Sequence, residues 1–343
     1  MEEISAKSQM AKIRGFERGF MATHLINLGS KVGLFGALHE SAEGMTVPDL
    51  AAQLGLHEPY LDTFCKTAYH FEILDHDELG KFKLQPHLGE ILGDRSHFKN
   101  YLANITLSVD FVGKMFEEFP GYYRSGQILE DVYTPEASKA VAQTTKNMHL
   151  AFAFMILPKN EELRHTLEHG VKVLEIGCGH GALIIQLAKA FGSSTFVGVD
   201  PDRHGIEDAK NRISKMGLAD RVTVENIGGE HLRYAEEFDM VLMVVTLHEI
   251  RPGIRQKVVE NAYRALRTGG LLVILDFPYP STIEDFRNPL YDMAILEQFF
   301  EICFGFVHLN NEERNEILIQ EGFRDLKHQP VGKGMFELVT AIK

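Results

Sequence analysis

The sequence predicts an α/β fold: an open, mostly parallel seven-stranded sheet covered by helices, preceded by a mainly helical N-terminal region. Three observations predict it. Residues 171–181 read VKVLEIGCGHG, an apolar, β-branched run that meets glycines at alternate positions. From Val171 onward, strand-like runs at 171–177, 195–200, 221–226, 238–245 and 270–276 alternate with helix-like stretches, the pattern of parallel strands joined by crossover helices. Two last runs, 323–331 and 335–343, read as a closing antiparallel hairpin.

Composition bounds what such a chain does. It has 343 residues, enough for two domains, with 45% hydrophobic and 24% charged residues, ordinary for a globular protein. No apolar run reaches the ~18 residues of a membrane span, and the first twenty residues lack the apolar core of a signal peptide. Three widely spaced cysteines (Cys65, Cys178, Cys303) make neither a disulfide framework nor a zinc knuckle. A cytoplasmic protein without a metal site is expected. The net charge of −13 disfavours nucleic acid and anionic membranes as partners.

The elements follow in order. Phe20–His39 carries apolar residues at helical spacing. Thr46–Leu61 reads as two short helices, with Thr46 or Asp49 as cap, Gly55 as stop and Pro59 early in the second. Phe71–Leu74 and Lys81–Leu84, around the turn Asp77–Gly80, predict a small hairpin. Helix, helix, hairpin is a winged-helix order. Its second helix, 58–74, carries Glu58, Asp62 and Glu72 against Lys66, and residues 1–110 hold ten Lys and Arg against fifteen Asp and Glu. A DNA reader needs the opposite balance. Residues 101–165 form a helical bridge rich in aromatics (Tyr101, Phe111, Phe116, Phe119, Tyr122, Tyr123, Phe152, Phe154), expected mostly as core between domains, with some walling a pocket.

The glycine loop carries the chemistry. Gly177, Gly179 and Gly181 let the backbone turn and approach a ligand, and the helix beginning at Ala182 offers its N-terminus to polar groups. Gly177-x-Gly179-x-x-Ala182 also satisfies the looser dinucleotide fingerprint. Glu175, placed to meet an ammonium, and the Gly269-Gly270 turn before a late strand favour a different ligand.

Glu175–Gly181, Asp200 and Leu266–Leu275 resemble the ExGxGxG motif, the acidic residue after strand two and the LrpGGxLxI motif of class I methyltransferases that use S-adenosylmethionine. The N-terminal pattern is similar to that of small-molecule O-methyltransferases related to hydroxyindole O-methyltransferase. The resemblance implies a Rossmann-like methyltransferase fold with a winged-helix-like dimerisation domain (1–100), a helical bridge (101–165) and a catalytic domain (166–343). It implies S-adenosylmethionine as cofactor, a small-molecule acceptor and a homodimer. Glu175 and loop carbonyls would hold the ammonium, Asp200 the ribose, and Pro201, Asn226 and Ile227 the adenine. Gly228 stands where relatives have an acid for the adenine amino group. Met148 corresponds to a methionine near the sulfonium.

His248 matches the histidine of the LHDW motif, the general base, although this chain reads Leu-His-Glu-Ile there and contains no tryptophan. Asp276, 28 residues later, would orient it. Such a base predicts a pH profile rising near histidine's ordinary value. A second acid of the family falls near His308, which becomes a candidate substrate contact with His149, Phe152, Glu249 and Phe300. The stripe Ile283–Phe306 favours a flat, apolar acceptor. C- or N-methylation, or a non-catalytic regulatory role, stays open.

Overall fold

The computed structural model describes residues 4–129 and 132–343. It divides into two compact units, one ending at Phe116 and the other beginning at Glu117. The change of unit falls inside the expected bridge.

In the first unit, helix α1 (Ala6–Lys31) starts on Ser5, whose side chain accepts from Ser8 N–H. The apolar spacing from Phe20 to His39 predicted one helix; the structure breaks it at Gly33, which takes φ +77° and lets α2 (Leu34–Glu40) begin afresh. Helix α3 (Val47–Leu54) is capped by the Thr46 hydroxyl and stopped by Gly55 in the left-handed region. Helix α4 (Glu58–His70) stops short of the expected 74. Leu74 belongs instead to β1 (Leu74–His76), paired antiparallel with β2 (Phe82–Leu84). Leu34, Phe35, Leu50, Phe64 and Leu74 form the core of this unit. Along α1, by contrast, Ile13, Phe16, Phe20 and Met21 stay more than half exposed within the chain.

The second unit opens with a short helix (Phe119–Ser125), followed by α5 (Pro135–Ala151) and α6 (Glu161–Glu168). Seven strands follow: β3 (Lys172–Ile176), β4 (Thr195–Asp200), β5 (Val222–Asn226), β6 (Phe238–Val244), β7 (Leu266–Asp276), β8 (Arg324–Val331) and β9 (Phe336–Ile342). Their order is β5-β4-β3-β6-β7-β9-β8. The five strands from β3 to β7 are parallel, and β9 runs antiparallel to both β7 and β8. Helices α7 (Ala182–Ala190), α8 (Arg203–Lys215), α9 (Pro252–Ala265), α10 (Asp292–Glu301) and α11 (Asn311–Gln320) complete the unit.

Apolar clusters cover both faces of the sheet. Val173 lies in one and its neighbour Leu174 in the other, both fully buried. That is why β3 reads as a continuous apolar run. The chain leaves β3 toward β4 and β5, then returns to its other side as β6. The crevice between β3 and β6 is therefore the switch point of the sheet, where open α/β folds bind ligands. The bridge aromatics correct one expectation. Phe119 and Phe152 are buried, but Tyr101, Phe116, Tyr123 and Phe154 are 44–61% exposed in the chain.

Candidate functional site

The carboxyl ends of β3 and β4 build the first half of the site. Gly177, Gly179 and Gly181 take φ +80°, +47° and +69°, so all three sit where a side chain is strained. A Cβ on Gly177 would lie 2.5 Å from Thr246 Oγ1, at the end of β6, whereas one on Gly179 would point into open space. The first glycine closes the switch point and the second exposes backbone to it. The loop is tied down from outside. His180 Nε2 is 2.9 Å from Ser138 Oγ on α5, its Nδ1 is 2.9 Å from Asp208 on α8, and its carbonyl accepts from Arg212.

Two acids face this loop. Asp200 accepts from Gly179 N–H and from Asp202 N–H, both at 2.8 Å, one on each oxygen. It braces the loop, while the capping of α8 falls to Asp202. A carboxylate has about four acceptor sites, so each oxygen keeps one. Burial pushes the Asp200 carboxyl up to about 6, against the pull of those two N–H groups. Glu175 is 1% exposed, and its Oε2 has no hydrogen-bond partner among the described residues. Burial, reinforced by Asp200, raises it to about 8 despite a hydrogen bond from the Ile184 backbone. An unpartnered buried carboxylate is costly unless a ligand cation answers it.

The Asn226 amide donates to the carbonyls of Asp200 and Pro201, so its NH2 holds the loop together and is not free for a ligand. Ile227 packs against the second core cluster, and Pro201 is exposed. Glu230, which sequence reasoning passed over, places its carboxylate where a side chain on Gly228 would lie.

The ends of β6 and β7 build the second half. Val245 holds φ +54°, a strained value for a β-branched residue, in the turn that leads to His248. His248 Nδ1 lies 2.6 Å from Asp276 Oδ1, and its backbone N–H reaches Asp276 Oδ2 at 3.3 Å. Both residues are buried. Burial alone would lower the imidazole, but Asp276, with Glu301 and Glu249, outweighs it and raises His248 to about 10. Asp276 is correspondingly driven down by the same pairing, against its own burial. The expected titration near histidine's ordinary value is therefore corrected: the ring favours its charged form, because three carboxylates surround it.

His308 lies parallel to His248, ring centroids 4.3 Å apart, with Tyr279 stacked on its other face at 5.4 Å. Its Nε2 is 3.4 Å from Glu301 and 4.0 Å from Glu297. Glu297 and Glu301 stand four residues apart on α10 and so share one face. Glu249 and Glu297 are both raised to about 8, chiefly by burial. Two groups, His248–Glu297–His308 and His248–Glu249–Glu301, each bring three ligand-type atoms within 4.8 Å of one another. Sequence reasoning missed Glu297, Glu301 and Tyr279. The available signal was a pair of acids at helical spacing inside an apolar stripe.

The other predicted residues scatter. His149 is buried against the Val244 backbone, its Nδ1 without a hydrogen-bond partner among the described residues, and burial lowers it to about 4. Met148 is partly buried against the larger core cluster. Phe152 is fully buried in that cluster, so packing accounts for it without a ligand. Phe300 meets Phe304 edge-on at 6.1 Å.

A family model described as a methyltransferase domain matches residues 173–270, from β3 into β7. An uncharacterized methyltransferase of Synechocystis sp., sll0829, is 30% identical over 177 residues, which are 50% of this chain and 76% of that protein. The chain belongs to the class I S-adenosylmethionine-dependent methyltransferases. Methyltransferase GfsG of Streptomyces halstedii is 35% identical over 131 residues, 38% of this chain, and the chain spans only 44% of that relative. Among solved structures, human N-acetylserotonin methyltransferase in complex with S-adenosylmethionine superposes with a TM-score of 0.79 at 14% identity, covering 100% of this chain and 99% of that one. Mitomycin 7-O-methyltransferase MmcR gives 0.80 at 16% identity, covering 98% of each chain. At such identities the likeness is one of fold.

S-adenosylmethionine is the cofactor of this methyltransferase class, and the residues present fit it. The unpartnered Glu175 Oε2 answers an ammonium, the open side of Gly179 leaves room for a ligand, and Asp200 keeps acceptor capacity for hydroxyls.

Proposed function

We propose that this methyltransferase moves the methyl group of S-adenosylmethionine to a hydroxyl oxygen of a small, aromatic or polyketide-like molecule, with His248 taking the hydroxyl proton. The single observation that carries the reading is the buried His248–Asp276 pair at the strand ends beside the switch point. When bound, the cofactor supplies an electrophilic methyl carbon on a sulfonium. Glu175 holds its ammonium, Asp200 its ribose, and Glu230 with Pro201 and Ile227 lines the adenine. Met148 sits near the sulfonium.

The chain's own task is to align the acceptor, exclude water and remove a proton. Asp276 on Nδ1 leaves Nε2 of His248 to meet the acceptor oxygen. Only the neutral ring can take that proton, and because its neighbours raise it to about 10, turnover should climb with pH through the neutral range toward that value. Tyr279 and Phe300 offer flat surfaces for an aromatic acceptor, with His308, His149 and Glu249 at its margin.

The N-terminal unit acts in this reading as a winged-helix-like dimerisation domain (1–100), and residues 101–165 bridge it to the catalytic domain (166–343) of a cytoplasmic homodimer. The exposed apolar residues of α1 support the dimer, since such a stripe is costly in water. Labelled donor offered to a panel of phenols, polyketide hydroxyls, amines and activated carbons tests the activity. Label on oxygen is expected; label only on carbon or nitrogen overturns O-transfer, and no transfer with intact cofactor binding points to a regulatory protein. Light scattering should return the mass of a dimer.

A further inference from the structure

We propose that Arg255, together with Gln298, is a positioning residue of the methyl-transfer site. The two side chains lock His248 and the loop 306–308 into one wall, so that Nε2 of the base is aimed before the acceptor arrives. This rests on the reading of His248 as the base and adds the parts that hold it.

Arg255 is a costly residue where it stands. It is only 3% exposed, and it lies in the first turn of α9, where a cation meets the positive end of the helix dipole. Burial opposes its charge, while Asp276 and then Glu313 favour it. Side chains on a helix lean toward its N-terminus, so the guanidinium reaches back to the chain ahead of α9. Nε donates to the Ile250 carbonyl at 2.9 Å. Nη2 donates to the carbonyls of His248 at 3.2 Å and Val307 at 2.6 Å. A planar fork of donors suits carbonyls spread over two segments; a lysine ammonium, a point charge, does not.

What the fork joins gives it its role. Asp276 already holds the Nδ1 and the backbone N–H of His248. Arg255 takes the carbonyl of the same residue, and Val307 N–H donates to that carbonyl at 3.2 Å. The next residue, His308, stacks on the His248 ring at 4.3 Å. From the other side, Gln298 on α10 accepts from His308 N–H at 2.7 Å and donates to the Phe306 carbonyl at 3.0 Å. N–H, carbonyl and Nδ1 of His248 are thus all engaged, and Nε2 is left for the acceptor. A misplacement of about 1 Å at such a group can cost about a hundredfold in rate.

Two variants of the full chain test this. Arg255→Lys keeps the charge and loses the fork; Gln298→Leu is similar in size, changes no charge and frees the loop from α10. Both should lower kcat by about 10- to 100-fold, with S-adenosylhomocysteine affinity within about threefold. Histidine-selective NMR follows the His248 ring without any acceptor. Asp276, Glu301 and Glu249 raise that ring to about 10, and Glu297 and His308 also face it. A loosened wall admits water, which weakens burial and carboxylates alike and returns the ring toward histidine's ordinary value. Its titration should therefore move down by about one pH unit in both variants. A role for Arg255 as a charge alone predicts no movement in Arg255→Lys. An unmoved ring in Arg255→Lys, whatever its melting point, overturns the proposal; should that variant not fold, Gln298→Leu decides in its place. Undiminished turnover in His248→Ala, or in a variant whose ring has moved, fails the base reading and leaves the positioning standing.

Discussion

The two halves of the site lie side by side on one sheet edge and are made differently. The β3–β4 half is local: Glu175, the three glycines, Asp200 and Asp202 come from two consecutive strand ends, and backbone N–H groups satisfy most of its acids. The β6–β7 half is assembled from distant pieces. His248, Asp276, Glu297, Glu301 and His308 come from two strand ends, a helix and a loop, and they meet one another through ion pairs and ring stacking. One half is a backbone cradle that recognises a fixed ligand; the other is a cluster of side chains that converge from separate elements. Binding and reaction should therefore separate on mutation.

The sharpest break comes at His248. His248→Ala should lower turnover by about 10²–10⁴-fold while cofactor affinity stays within about twofold, measured by steady-state kinetics and calorimetry on the same preparation. Parallel loss of both would join the two halves and end the comparison. Next is Asp200→Ala, which should weaken S-adenosylhomocysteine by roughly 10- to 100-fold, because both the ligand contact and the brace on Gly179 go together.

The glycines sharpen the comparison inside the cradle. Gly179→Ala has open space for its methyl and should cost only about 1–2 kcal/mol of stability from its positive φ, yet it should weaken the cofactor, since that space is the ligand's. Gly177→Ala meets Thr246 and carries φ +80°, so its larger loss should appear in thermal unfolding of the free protein. Equal melting points for the two variants would contradict this division.

The smallest effect is a pH dependence of binding. Glu175 is raised to about 8 in the free protein, so it is largely neutral below that pH. An ammonium ligand requires the ionised form, and binding therefore releases a proton at lower pH. Affinity should rise severalfold per unit, at most about tenfold, from pH 6 toward 8 and then level off. Glu175→Gln should weaken binding and flatten that slope. The stability of the free protein should follow the opposite trend: a carboxyl raised on folding favours the folded state at low pH, and that contribution should be lost as pH rises toward 8.

Much of the cradle was legible along the chain because its determinants are contiguous. The Glu175–Gly181 run, Asp200 and the Gly269-Gly270 turn are local backbone requirements, and periodicity alone located β3 to β9 closely. The break at Gly33 was not legible, since apolar spacing continues through it and only the packing of α2 shows where the axis turns. The end of α4 was lost in the same way, because pairing with Leu84 takes Leu74 into a strand.

The amino-acid order by itself determined the fold class, the glycine cradle and the pairing of His248 with Asp276, all of which depend on strand ends at fixed offsets. The tertiary structure alone decided what surrounds that pair. Glu297 and Glu301 on α10, 49 and 53 residues beyond His248 in the numbering, and His308 in the loop that follows have no spacing that links them to β6. They meet His248 only because α10 and the His308 loop pack over the strand ends. The charge state of a buried histidine depends on every acid within a few ångströms, and that distance is a property of packing, not of order along the chain.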